Sequence, residues 1–160
     1  MSGLETFKEI SIGGITKDQL LRQLIEAGIQ FNEYAKILFE HHAFSPINNP
    51  EKVQLVKVKL SDLGMDNPCS FQNSFQEVVN RASTLGLKIC PLYCAAFLRL
   101  EYLDQPEGPY LTVASDKPER DENYPNGFYI RNFNNTLWLR GYRATDFCEW
   151  PMDNEFLFLK

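Results

Sequence analysis

Apolar residues recur at spacings of three and four positions in three segments of the chain, which is the spacing of one face of an α-helix. In the first segment Thr16 is followed three residues later by Gln19, the sequence of a capping box. Gly28 follows the last apolar residue of that segment, as a helix-ending glycine does. The pattern predicts helices over about 17–27, 31–41 and 71–86.

Elsewhere apolar and polar residues alternate, which is the pattern of a half-buried strand. The alternation predicts strands at about 7–12, 53–60, 98–102, 110–114, 128–133, 136–142 and 156–159. Short turns join most of the later strands, and strands joined in this way pair antiparallel. We therefore expect one α+β domain over 1–160, with a helical N-terminal half and a β-rich C-terminal half. A mainly antiparallel sheet of about five to seven strands would carry about three helices, gathered on one side.

The pair Asn134-Asn135 lies between two predicted strands, and asparagine tolerates the positive φ that a two-residue hairpin turn requires. In such a hairpin Ile130 faces Leu139 and Arg131 faces Trp138. Alternation then divides the side chains between two faces. The core face carries Phe128, Ile130, Leu137 and Leu139. The other face, which we call the arginine–aromatic face, carries Tyr129, Arg131, Phe133, Trp138, Arg140 and Tyr142.

Arginine and aromatic side chains are enriched at the hot spots of protein interfaces and at sites that stack bases. The arginine–aromatic face is therefore the strongest candidate for a recognition surface. Two structural alternatives stay open: cation–π packing that stabilises a half-exposed sheet, and a covering of helices past which the arginines reach water. The candidate binding residues, including two neighbouring arginines, are Arg99, Tyr129, Arg131, Trp138, Arg140, Tyr142 and Arg143.

The charge of the chain limits the partners of such a surface. Sixteen Lys and Arg stand against 21 Asp and Glu, which gives a net charge of −5. Phosphate backbones and anionic membranes attract an excess of cationic side chains, so the balance argues against nucleic acid and membrane as partners. No run of about 18 apolar residues and no secretory pattern is present in the sequence. We therefore expect a cytoplasmic protein whose four cysteines are thiols.

The residue types that most often carry catalysis or bind metals have structural explanations in this sequence. His41 and His42 are adjacent at a predicted helix end, so their side chains diverge by about 100° and interact favourably with the helix C-terminus. Cys90 and Cys94 lie in an apolar segment, which is typical of buried thiols. The sequence has no phosphate-loop, nucleophile-elbow or zinc-protease motif. We therefore expect no metal and no cofactor.

The chain resembles a widespread group of small bacterial proteins of unknown function in one segment, Leu98-Arg99-Leu100-Glu101-Tyr102-Leu103-Asp104-Gln105-Pro106-Glu107-Gly108. The pattern of the group at this point is Leu-Arg-Leu-x-Tyr-x-Asp-Gln-Pro-x-Gly, and the segments 85–91, 137–139 and 155–159 fit its layout as well. The resemblance spans nearly the whole chain. It implies a bacterial source and a cytosolic protein, and it brings no catalytic residue with it.

Two functions from different classes follow from these observations. The first is a non-enzymatic protein-binding or regulatory module, which recognises a protein partner or forms a homodimer through the arginine–aromatic face. The second is a small enzyme or binder for a nucleotide or other anionic metabolite, which Arg99, Arg131 and Arg140 would clamp. In that case Glu101 or Asp104 would serve as acid or base. We favour the first, because no nucleophile, base or metal cluster accompanies the arginines in the sequence.

Overall fold

The computed structural model describes residues 5–64, 75–121, 123–143 and 154–160, and within them the chain forms seven strands and four α-helices. In chain order these are β1 (Lys8–Ile12), α1 (Lys17–Glu26), β2 (Gln30–Phe31), α2 (Glu33–Phe39), β3 (Glu51–Lys59), α3 (Phe75–Thr84), α4 (Cys94–Glu101), β4 (Leu111–Val113), β5 (Gly127–Phe133), β6 (Thr136–Tyr142) and β7 (Glu155–Leu159). The α+β class and the number of strands agree with the prediction, but there is one helix more than expected. The start of the predicted 71–86 helix, residues 71–74, lies outside the described residues.

The seven strands form one sheet in the order β1-β3-β7-β4-β5-β6-β2. Two pairs of neighbours run parallel, β4 beside β7 and β2 beside β6, so the sheet is mixed and not mainly antiparallel as predicted. The prediction followed the short turns between strands. However, β7 lies between β3 and β4, and β2 lies beside a strand far along the chain. Such pairings depend on distant contacts, which local turn sequences do not record.

Helices lie on both faces of the sheet, whereas the sequence analysis placed them on one side. On one face α1, α2 and α4 share the larger hydrophobic core with the sheet, through residues such as Leu24, Leu38, Leu98, Ile130 and Leu139. On the other face α3 shares a smaller core with β3 and β7, through Val58, Val78, Ala82 and Phe158. Among the described residues, β5 and β6 contribute no buried residue to this smaller core. The arginine–aromatic face lies on this same side of the sheet, on β5 and β6.

The segment 98–102, predicted as a strand, belongs mainly to the helix α4. Every residue from Leu92 to Arg99 is buried, because α4 packs between α1 and the strands β1, β5 and β6. A helix enclosed in this way has no polar face to mark a period of 3.6 residues. Leu98 and Leu100, separated by Arg99, therefore imitate the alternation of a strand. Tertiary packing decides the structure of this segment.

The hairpin of β5 and β6 has the predicted register. The two asparagines of its turn hold φ angles of 54° and 62°. Ile130 pairs with Leu139 and Arg131 pairs with Trp138. Because Ile130 and Leu139 enter the larger core, the side chains of the arginine–aromatic face project together from the opposite surface of the sheet.

The side chain of Asn32 caps α2 and pairs with β6 at the same time. Its Oδ1 accepts hydrogen bonds from the backbone amides of Ala35 (2.9 Å) and Gly141 (2.8 Å). Its Nδ2 donates to the backbone carbonyl of Gly141 (3.0 Å). The side-chain carboxamide of Asn32 therefore pairs with β6 as the backbone of a neighbouring strand would. A Cβ atom at position 141 would lie 2.7 Å from Tyr34, and glycine therefore allows α2 to approach the strand this closely.

Substitution of Asn32 is expected to separate these two roles. Asn32→Ser keeps an oxygen that can cap α2 but loses the pair with Gly141, whereas Asn32→Ala loses both. We expect the free energy of unfolding to fall by about 1–2 kcal/mol for the serine variant and about 2–3 kcal/mol for the alanine variant, measured by urea denaturation. Lys36→Ala, at an exposed position of α2, should change it by less than about 0.5 kcal/mol. A serine variant as stable as the wild type would contradict the strand-like role of Asn32.

Candidate functional site

The arginine–aromatic face meets solvent while its rings remain packed. Arg131, Trp138 and Arg140 are partly exposed, and Phe133 beside the hairpin turn is 50% exposed. The helix α3 reaches the other end of the face at Tyr142, whose ring centroid lies 6.4 Å from that of Phe75. The centre of the face is thus half-exposed, and one end packs against a helix.

Ring stacking holds both arginines of this face. The guanidinium carbon of Arg140 lies 4.8 Å from the ring centroid of Trp138 and 5.9 Å from that of Tyr129. The guanidinium carbon of Arg131 lies 4.8 Å from the ring centroid of Phe133. These distances are within cation–π range, so the cation–π packing that the sequence left as an alternative is present. It orders the arginines without occupying the hydrogen-bonding capacity of their terminal nitrogens.

The side chains of Arg131 and Arg140 form no hydrogen bond and no ion pair with another described residue. The Nε atom of each is buried and has no acceptor. By contrast, Arg81 of α3 pairs with Glu77 at 2.9 Å. The face therefore presents two positive groups that no carboxylate within the described ranges neutralises.

Tyr110 joins the face, although the sequence analysis did not select it. Its ring centroid lies 4.7 Å from that of Tyr129. The register of β4 against β5 pairs Thr112 with Tyr129 and so directs Tyr110, two residues earlier, to the same surface. The alternation of Tyr110 and Thr112 with Leu111 and Val113 was visible in the sequence. What the sequence did not show is that β4 lies beside β5.

Tyr142 differs from the other residues of the face in the burial of its hydroxyl group. The residue is partly exposed, but its hydroxyl oxygen is buried. This burial raises the pKa of Tyr142 well above its usual range, because desolvation penalises the phenolate. Tyr142 therefore stays neutral and serves the packing of the face, not its charge.

Arg99 was selected as a neighbour of the face, but the structure places it on α4, on the opposite side of the sheet. It is 0% exposed. Its guanidinium donates hydrogen bonds to the Gln105 side chain (2.7 Å), to the Trp138 carbonyl (3.3 Å) and to the Tyr102 carbonyl. Desolvation lowers the pKa of Arg99 to about 10. Arg99 thus binds the backbone of the hairpin from behind and does not reach the solvent-facing surface.

The rest of the segment 98–108 holds the same hairpin, which the sequence analysis did not foresee. The side chain of Gln105 donates from Nε2 to the Ile130 carbonyl (3.4 Å). The backbone carbonyl of Gln105 accepts a hydrogen bond from the Asn132 side chain (2.7 Å). Glu107 accepts a hydrogen bond from the Asn135 amide at the turn (3.2 Å). The signal available in the sequence was a glutamine next to proline between apolar segments, which says nothing about its partners.

Arg143 also lies apart from the arginine–aromatic face. It follows the end of β6, donates to the Asn123 side chain (3.0 Å) and has its guanidinium carbon 5.9 Å from the ring centroid of Tyr34 on α2. Of the seven candidate residues, the structure brings together Tyr129, Arg131, Trp138, Arg140 and Tyr142. Arg99 and Arg143 contribute to other contacts.

Both histidines lie just beyond α2, and His41 is engaged at both ring nitrogens. Its Nδ1 accepts a hydrogen bond from the Ala43 amide (3.0 Å), and its Nε2 lies 2.6 Å from the Glu119 carboxylate. The ring centroid of His42 lies 4.3 Å from that of His41, so the two rings stack and do not diverge as predicted, because both residues lie beyond the end of α2. Because Nδ1 accepts, the proton of His41 is on Nε2, which donates a hydrogen bond to the Glu119 carboxylate. His41 therefore fastens the loop around Glu119 and has no free nitrogen for a substrate.

Cys90 and Cys94 are buried free thiols, in agreement with the sequence interpretation. A hydrogen bond with Cys94, together with burial, raises the pKa of the Cys90 thiol. Cys69 and Cys148 lie outside the described residues. Within the described ranges no group of three or more His, Cys, Asp or Glu residues is placed to hold a metal ion.

Three of the clefts lined by described residues include no residue of the arginine–aromatic face. The largest, of 320 Å³, lies at the start of α1 beside residues 45–48. The second, of 310 Å³, lies between β1, β3 and the end of β7. The third measures 100 Å³ and lies beside residues 105–109. The rings and guanidinium groups of the face lie outside all three concavities.

Arg99→Lys is expected to destabilise the protein although it keeps the charge. A lysine ammonium cannot match the fork of the guanidinium, so buried acceptors on Gln105 and Trp138 lose their donors. The free energy of unfolding should fall by about 2–3 kcal/mol, measured by urea denaturation. Arg22→Lys, at an exposed position of α1, is the control and should change it by less than about 0.5 kcal/mol. An Arg99→Lys variant as stable as this control would show that the buried network is dispensable.

Tyr142 is expected to weaken the fold at alkaline pH. Its folded-state pKa lies above its unfolded-state pKa, so above pH 10 the unfolded state releases the proton while the folded state keeps it. This one group should lower the free energy of unfolding by about 1.4 kcal/mol per pH unit above pH 10. In Tyr142→Phe that part of the decline should vanish. The stability difference between wild type and variant, from urea denaturation at pH 8 and pH 11, tests this, and a difference independent of pH would refute it.

Compared with known proteins, the chain matches no family model, no curated protein and no solved structure. The resemblance of residues 98–108 to a bacterial group therefore stays an expectation from the sequence. No helix in the part of the chain that the structure describes is long and apolar enough to cross a membrane.

Proposed function

We propose that this protein is a non-enzymatic binding module, which docks a protein partner on the arginine–aromatic face. The observation that carries the proposal is the pair Arg131 and Arg140, stacked on aromatic rings at a half-exposed sheet surface and lacking a carboxylate partner among the described residues. Arginine, tyrosine and tryptophan are the residues that most often form the hot spots of protein interfaces.

The shape of the site supports a macromolecular partner over a small molecule. Small-molecule sites are concave and enclose most of their ligand, whereas protein interfaces extend over broad surfaces. The three clefts named above contain no residue of the face. The rings of Tyr129, Phe133 and Trp138 instead spread along two strands of the sheet.

An enzyme that clamps an anionic metabolite remains the second candidate, because Arg131 and Arg140 fit an anion. Two of the residues expected in such an enzyme site, Arg99 and Glu101, form contacts away from the face. Arg99 is buried behind the hairpin. Glu101 accepts a hydrogen bond from the Ser11 amide (3.0 Å) at the edge of β1. Among the described residues no carboxylate lies within ion-pair distance of the remaining two arginines.

We place this interaction in a bacterial cytosol. The resemblance of residues 98–108 implies that source and compartment. The buried free thiols Cys90 and Cys94 fit a reducing environment, and no described helix is of a kind that spans a membrane.

Affinity capture with matched baits tests the proposed function. Wild type, Trp138→Ala, Arg140→Ala and the control Arg22→Ala are immobilised, and proteins captured from an extract of the source cells are quantified by mass spectrometry. We expect at least one protein to be retained equally by wild type and Arg22→Ala, and to fall by about tenfold or more with Trp138→Ala and with Arg140→Ala. The same captured set on all four baits would refute the proposal.

Two further measurements separate the alternatives. Light scattering after size-exclusion chromatography would reveal a dimer of wild type that Trp138→Ala dissolves, which would identify the partner as a second copy. A thermal-shift screen with nucleotides and inorganic phosphate addresses the metabolite, since a ligand at 100 times its Kd adds about 2.7 kcal/mol of stability. A shift that disappears in Arg131→Gln would favour the second candidate.

A further inference from the structure

The arginine–aromatic face carries two positive charges in a chain that is acidic as a whole. Some basic side chains of the molecule have a carboxylate partner: Glu155 lies 3.7 Å from Lys57 and Glu77 lies 2.9 Å from Arg81. Arg131 and Arg140 have no such partner in the described ranges, although the chain as a whole carries a net charge of −5. Electrostatic complementarity therefore points to an acidic partner.

The two guanidinium groups are held ready for carboxylates. Each is stacked on an aromatic ring at 4.8 Å, which restricts its side chain before any partner arrives. Such ordering lowers the entropy lost on binding. A guanidinium donates two parallel hydrogen bonds to one carboxylate, so Arg131 and Arg140 together suit two acidic side chains.

The spacing of the arginines suits an extended segment. Arg131 pairs with Trp138, and Arg140 lies two residues further along the same strand as Trp138. Such diagonal neighbours are about 7–8 Å apart. In an extended peptide, side chains at alternate positions point the same way and are about 6.6–6.8 Å apart. The backbone spacing of two acidic residues separated by one position therefore matches the backbone spacing of Arg131 and Arg140.

A second copy of the chain fits less well. A twofold interface brings the same surface of both copies together, so Arg131 and Arg140 of one copy would lie against those of the other. Like charges placed opposite each other oppose association. A single-stranded nucleic acid also fits less well, because it requires a longer track of basic side chains along its backbone than two arginines in an acidic protein supply.

We propose, building on the function proposed above, that the arginine–aromatic face binds an acidic segment of another protein in an extended conformation, with carboxylates at alternate positions on Arg131 and Arg140. The aromatic rings between and beside the arginines provide the apolar contact area. Recognition of this kind depends on ion pairs at a half-exposed surface, so it weakens as salt screens them.

A displayed library of random short peptides supplies the probe. Peptides are selected on wild type and counter-selected on Trp138→Ala, and the strongest is measured by fluorescence anisotropy. We expect Asp or Glu at alternate positions in the selected peptides. Affinity should fall by about tenfold or more in the double variant Arg131→Gln and Arg140→Gln, and by less than about twofold in the control Arg22→Gln, which removes a charge from α1. Circular dichroism confirms that each variant is folded.

The outcomes distinguish this inference from the proposed function. Selected peptides that need Trp138 but bind the double variant as tightly as wild type would overturn the acidic partner and leave the protein-binding function standing. If no peptide distinguishes wild type from Trp138→Ala, the protein-binding function itself fails. Single-stranded oligothymidine that binds more tightly than the best peptide, again through Trp138, would replace the protein partner by a nucleic acid. A dimer that depends on Trp138 would replace it by a second copy.

Discussion

The buried guanidinium of Arg99 is the interaction on which the geometry of this protein depends. It connects α4 to the backbone of the β5–β6 hairpin through carbonyl groups and through the side chain of Gln105. A charged group this far from water requires acceptors, and neutral carbonyl groups provide them here for both terminal nitrogens in place of a carboxylate, whereas the buried Nε has none. The hairpin that carries the arginine–aromatic face is therefore held on its opposite side by directional hydrogen bonds as well as by apolar packing.

The hairpin was predictable because all its determinants are local. Two asparagines that accept positive φ fix the turn, the turn fixes the register, and strict alternation fixes which side chains share a face. The first helix was predictable for the same reason, since Thr16 and Gln19 form the capping box and Gly28 ends the helical pattern. Short-range chemistry determines these elements before the sheet assembles.

Features that depend on distant contacts were not predictable. The eight residues of α4 show no helical period because the fold surrounds them, and their sequence resembles a strand. The strands β4 and β7 are parallel neighbours because β7 lies between β3 and β4 in the sheet, and no short turn in the sequence indicates this position. For the candidate site, alternation predicted the face itself. It did not predict that Tyr110 joins this face or that Arg99 serves the hairpin from the opposite layer, because both facts require knowing which elements are adjacent.

The pairing of Asn32 with Gly141 has a consequence for how the protein behaves in a crowded solution. An exposed sheet edge invites strands of other molecules to add to it, which is the first step of fibril-like aggregation. At this end of the sheet a single carboxamide occupies backbone groups of β6, and β2 beyond it contains two residues. Another molecule therefore finds little free backbone at this edge with which to extend the sheet.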